Sequence, residues 1–268
     1  MTRTINSTLA LLSISFFAFC QFSGGVQAEM VWVGGHGDIG LEFKNNTLGL
    51  HIHLESETLA NGGNFVGGKP STGEVEPGDL IIGVPSARRE TRPAGNEWNF
   101  TGTTAGSHFW TLPAIEASGG NHPYVGFAAE AVEIGGDWTA PPSFEWRVTS
   151  VVAPGAFSIW SGTTSPIPLV SADRNTNLFN LVPNIHNHFN MGFTSEGIYD
   201  ITFEATGFKG ATKYVATDTF RFAVGDSTIS AVPEPSSMLL AFVAVGIGGV
   251  VSRRLSIRSK RMTSKEEI

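Results

Sequence analysis

The chain has 268 residues, a formal net charge of −7 and one cysteine, Cys20, beside 32 glycines, 14 prolines and seven histidines. An acidic balance argues against nucleic acid as a partner. A lone cysteine, sited in the N-terminal leader, excludes a disulfide framework, thiol catalysis and Cys-ligated metal in the region that follows.

The first 28 residues read as a secretory signal peptide. Arg3 supplies a basic start, Leu9 to Cys20 an apolar stretch, and Val26-Gln27-Ala28 a small-residue cleavage site before Glu29. Phe19 stands where a lipoprotein signal needs a small residue before its cysteine, so acylation of Cys20 is not expected. Residues 29–231 are then one exported domain. Between the leader and the basic C-terminal tail, 10 Lys and Arg face 22 Asp and Glu, a net −12. The plainest meaning of that charge is solubility.

Along this domain the apolar period is two. Leu48, Leu50, Ile52 and Leu54 alternate with Gly49, His51, His53 and Glu55, and Phe144, Trp146 and Val148 alternate with Glu145, Arg147 and Thr149. Tyr199, Ile201, Phe203 and Ala205 repeat the pattern, and Phe220, Phe222 and Val224 close it. Such alternation gives half-buried strands, and glycine and proline punctuate them. The expectation is an all-β, antiparallel β-sandwich. Ala60 to Gly78, rich in Gly, Asn, Pro and acid, reads as a long surface loop. The acid pairs Glu55/Glu57 and Glu74/Glu76 read as solvated charges.

The histidines are the one constellation that could carry chemistry. Four of them form His-x-His pairs, His51/His53 and His186/His188. In a strand, residues i and i+2 share a face and can share an ion. Imidazole suits zinc or another first-row divalent metal, and Asp38 could add a carboxylate. Leu50, Ile52 and Leu54 take the core face, so His51 and His53 belong on the opposite one. The default reading is a hydrogen-bonded polar clamp with no metal. Trp32, Trp98, Trp110, Trp138, Trp146 and Trp160 raise a second option, a sugar-stacking platform, against the simpler role of core anchors. No His-Glu-x-x-His and no Gly-x-Ser-x-Gly occurs, which argues against an enzyme.

The C-terminus has three parts. Pro233-Glu234-Pro235 blocks strand or helix continuation, Met238 to Val251 is an uncharged, mostly aliphatic run, and Arg253-Arg254 ends it. A helix at about 237–252 is short for a bilayer core, which needs about 20 residues. Residues 255–268 form a basic tail expected to stay cytoplasmic. This arrangement over residues 232–254 resembles the PEP-CTERM sorting signal of Gram-negative bacteria. The resemblance implies an exosortase-type processing enzyme as partner, an inner-membrane precursor, and delivery to the cell surface or extracellular matrix.

The domain itself resembles the bacterial surface domain called choice-of-anchor M over roughly residues 33–223. The likeness rests on Gly35-His36-Gly37-Asp38 and on Phe109-Trp110-Thr111-Leu112-Pro113. It continues in His122-Pro123-Tyr124-Val125-Gly126-Phe127, Val152-Ala153-Pro154-Gly155 and Trp160-Ser161-Gly162. Its last part is His186-Asn187-His188-Phe189-Asn190-Met191-Gly192-Phe193-Thr194, where Met191 replaces an expected Trp. It points to His36, Asp38, His186 and His188 as the metal ligands, with His51 and His53 in reserve. The expected function is a non-catalytic surface or matrix protein, with the histidine cluster as its candidate metal site. The alternatives are a carbohydrate-binding module for exopolysaccharide and a metallo-hydrolase.

Overall fold

The alternating segments form strands, and the fold is all-β. The computed structural model describes residues 29–116, 122–132, 138 and 144–232. The signal peptide (1–28) and everything from Pro233 onward lie outside the described residues: the Pro233-Glu234-Pro235 motif, the apolar run, Arg253-Arg254 and the tail. Among the described residues no helix is long and apolar enough to cross a membrane.

The described residues form three sheets. The first runs, in spatial order, Phe179–Leu181, Phe144–Val152, Gly197–Lys209, Thr212–Val224, Leu80–Val84, Met30–Trp32, Phe65–Val66. The second runs Ile167–Val170, Phe157–Ser161, Asn190–Phe193, His108–Leu112, Arg89–Thr91. The third runs His186–His188, Pro123–Ala131, Gly35–Lys44, Thr47–Leu54, Glu74–Val75. Most neighbours are antiparallel, but the expectation of purely antiparallel pairing needs correction. Leu80–Val84 pairs parallel with both Met30–Trp32 and Thr212–Val224, and Gly35–Lys44 pairs parallel with Pro123–Ala131. Parallel neighbours need a crossover rather than a tight turn, so local alternation carries no sign of them.

One apolar cluster draws on all three sheets, with Trp32, Ile39, Ile52, Trp110, Phe127, Trp146, Phe157, Phe203 and Phe222 among its members. In Phe144–Val152, Phe144, Trp146 and Val148 are buried and Glu145, Arg147 and Thr149 point to water. Each fully buried large apolar side chain contributes about 1.5–3 kcal/mol, so these rows supply most of the driving force. Met191, at the position where the resemblance expects Trp, is fully buried in this core. Tyr199 is buried as well, and its hydroxyl donates to the Ser195 carbonyl and accepts from the Ser195 N–H, both at 3.0 Å. That double bond ties the loop at Ser195 to the start of Gly197–Lys209.

Ala60 to Gly78 is more structured than a loop. Phe65–Val66 adds an edge to the first sheet beside Val31 and Trp32, and Glu74–Val75 adds an edge to the third beside Ile52 and His53. A six-residue helix, Asp226–Ala231, follows the last strand.

Candidate metal centre

The third sheet carries five of the seven histidines, His36, His51, His53, His186 and His188, and a two-residue turn sets the register of its central hairpin. Asn45 and Asn46 both have positive φ, 52° and 65°, which is the backbone a tight hairpin of the type I′ class requires. Asparagine tolerates that region better than most residues. The hairpin pairs Lys44 with Thr47, and counting back from there sets Gly40 opposite His51 and Asp38 opposite His53. On its other side the Gly35–Lys44 strand aligns His36 with Tyr124 and Asp38 with Gly126. One strand further, His188 stands opposite Gly126 and His186 opposite Ala128. A single row therefore crosses the sheet: His188, Gly126, Asp38, His53, Glu74.

Glycine in the middle of that row makes the site. A methyl at Gly126 would overlap Asp38 Oδ1 and come within 2.9 Å of His188 Cε1. Without it, the Asp38 carboxylate lies over the central strand, towards His188. His36, two residues before Asp38, shares its face. The His36 backbone is pinned by Thr58, whose Oγ1 donates to the His36 carbonyl at 2.7 Å. On the far strand His186 and His188 repeat the i, i+2 spacing, and Tyr124 stacks flat on His188 with ring centroids 3.7 Å apart.

The resulting cluster is tight. Coordinating atoms of His36, His186 and His188 lie within 4.8 Å of one another. Asp38 Oδ1 is 3.7 Å from His36 Nε2 and 4.0 Å from His188 Nε2, too long for hydrogen bonds. Two ligands at about 2.05 Å from a shared tetrahedral ion stand about 3.3 Å apart, so small rotations bring these atoms to ligand spacing. Asp38 is 1% exposed, yet neither of its oxygens has a hydrogen-bond partner among the described residues. His36 Nε2 and both ring nitrogens of His188 are likewise buried and unpartnered. A carboxylate removed from water without hydrogen bonds is strongly destabilised unless a cation compensates it.

Electrostatics keeps a ligand ready. Burial pushes the His188 imidazole down to about 4, against the pull of Asp38, so its nitrogens are free of a second proton near neutrality. His36 moves the other way: the Asp38 carboxylate beside it raises its pKa against the opposing effect of burial. Three imidazoles and one carboxylate form a nitrogen-oxygen set suited to zinc or a neighbouring first-row ion.

The reserve pair does not join this cluster. His51 and His53 make a second one with Glu74, whose two oxygens lie 2.7 Å from His51 Nε2 and 2.6 Å from His53 Nδ1. His51 is buried rather than open to solvent as its strand face suggested, and burial lowers its pKa against the opposing Glu74. Glu74, expected as a solvated loop charge, is the residue that sequence reading missed. Only its pairing through the two-residue edge strand brings it to His53.

Trp32, Trp98, Trp110, Trp146 and Trp160 are buried, and the half-buried Trp138 packs against Phe43, Phe144 and Tyr214. They are core and turn anchors, and Trp98 and Trp160 also line a cavity with Glu90, Pro93, Phe109 and Asn190. Asn190 is a structural clamp: its Oδ1 accepts from the Ala114 N–H, and its Nδ2 donates to the carbonyls of Trp160 and Gly162. Comparison with protein-family models, curated proteins and solved structures finds no match to the chain.

Proposed function

We propose that this is a non-catalytic surface or matrix protein whose β-sandwich domain binds one first-row divalent metal, zinc in the simplest case, through His36, Asp38, His186 and His188. One observation carries the metal reading. Asp38 is buried with both oxygens unpartnered and faces two half-buried imidazoles whose nearest nitrogens are buried too, a combination that a bound cation resolves and a hydrogen-bonded clamp does not. With Asp38 among the ligands, all four tetrahedral positions come from the protein, the pattern of a structural or sequestering site. A hydrolytic site would keep a position open and would need a base besides its ligands.

The sequence supports the rest of the reading. The leader and the Pro233-Glu234-Pro235, apolar run and Arg253-Arg254 order favour export by a PEP-CTERM pathway, with an exosortase-type enzyme as partner. Residues 33–223 favour a choice-of-anchor M domain as the cargo. The experiment is elemental analysis of the exported protein, with thermal melting in chelator and in added zinc. At least one ion per chain, with one fewer in Asp38→Asn, and a higher melting temperature with zinc support the proposal, because a ligand that binds only the folded state stabilises it. Superimposable melting curves with chelator and with zinc overturn it.

A further inference from the structure

We propose that His51, His53 and Glu74 form a second divalent-metal site on the same sheet, partly open to solvent, with a coordination position left for an outside ligand. It rests on residues that the four-ligand centre does not use. Three observations carry it. Coordinating atoms of the three side chains lie within 4.8 Å of one another. Gly40, paired with His51, leaves room for its ring, since even a methyl there would come within 3.1 Å of Nε2. The burial is graded, with the side chain of His51 7% exposed, His53 40% and Glu74 62%.

Two imidazoles and one carboxylate supply three ligands, one short of a tetrahedral zinc site. That arrangement, with one or more positions open, is how proteins hold a metal that must meet something else. The gradient puts the open position on the Glu74 side. In the metal-free form Glu74 bridges Nε2 of His51 and Nδ1 of His53. The ion takes these two nitrogens, and each imidazole proton moves to the other ring nitrogen, so neutral rings release no proton. His51 Nδ1 makes no hydrogen bond in this structure, so placing the proton there breaks none. An anionic group from solvent, such as a carboxylate, then completes the coordination sphere. For a protein of net charge −7, that would let a cation join two acidic surfaces.

The test is a Co²⁺ titration of the full domain followed by visible absorption, with stoichiometry by calorimetry. The expected result is two ions per chain. Glu74→Gln and His53→Ala each remove one ion or weaken it at least tenfold, and Asp38→Asn removes the other. Both first variants alter groups at the open end of the cluster, so the metal-free protein stays folded and its melting temperature falls only by what the Glu74 clasp contributes. A clasp made only of hydrogen bonds tolerates the amide of Glu74→Gln, so two ions bound with unchanged affinity in that variant overturn the proposal. A single ion in the unmodified protein overturns it too, whether Asp38→Asn removes that ion or not. Azide added to the Co²⁺ form should shift the spectrum only while Glu74 is present; no shift overturns the open position.

Discussion

Asp38 and Gly126 are register partners on adjacent parallel strands, and the carboxylate of the first occupies the space that a side chain on the second would fill. The pair turns a flat sheet into a shallow cradle three strands wide, closed on its far side by His188. Gly126→Ala is therefore the smallest change that tests the site without touching a ligand. The methyl displaces Asp38 and His188 and should weaken zinc binding by about 10- to 100-fold, the usual range when a ligand's support is disturbed. Competition with a chromophoric chelator measures this, and an unchanged affinity would place the ion elsewhere.

Asp38→Asn gives a crossed result. Without metal it removes a buried carboxylate that makes no hydrogen bond, a gain set against the lost attraction to His36, so the melting temperature should change little. With zinc the stabilisation seen in the original protein should be mostly lost. A variant that loses stability equally in chelator and in zinc would mean that Asp38 has a purely structural role.

The metal-free protein should weaken in mild acid. His188, His51 and His122 all have folded pKa values lowered chiefly by burial, so the unfolded chain binds more protons below about 6.5. Their contribution is complete above about 6.5 and is lost as pH falls towards the folded value, about 4 for His188. His36, raised by Asp38, has the opposite sign and adds stability that is present below about 6.5 and fades as pH rises through its folded value. Three groups outweigh one, so urea midpoints in chelator should drop between pH 7 and pH 5. A rise over that range contradicts the assignment.

Tyr199→Phe should destabilise the fold by about 1–3 kcal/mol, because Ser195 loses both hydroxyl contacts in a partly buried corner. Metal affinity should not change, since the corner belongs to the first sheet and the histidines to the third. Chemical denaturation and the same chelator competition separate the two readouts.

How much of this the sequence disclosed follows from how far each feature reaches. Phe144, Trp146 and Val148 declare their strand within five residues, because alternation is a local property. Parallel pairing of Gly35–Lys44 with Pro123–Ala131 joins segments about ninety positions apart, and nothing in either segment names the other. Glu74 was hidden for the same reason, on a two-residue edge strand inside a Gly- and Pro-rich stretch. The importance of Gly126 was invisible because it consists of a side chain that is absent. His36, Asp38, His186 and His188 were grouped by resemblance to known motifs, and the structure supplies the geometry that brings them together.

The placing of the earliest and latest strands has a consequence for how the molecule is made. Met30–Trp32 and Thr212–Val224 flank the same strand, Leu80–Val84, so the first sheet is incomplete until the end of the domain has emerged. The ion cluster has the same dependence, since its ligands run from His36 to His188. A chain leaving a ribosome or a translocation channel from its N-terminus would hold unpaired strand edges and an unassembled site for most of its passage. Folding should then be late and slow, governed by long-range pairing, and that long exposure is when such a chain is most open to aggregation and proteolysis.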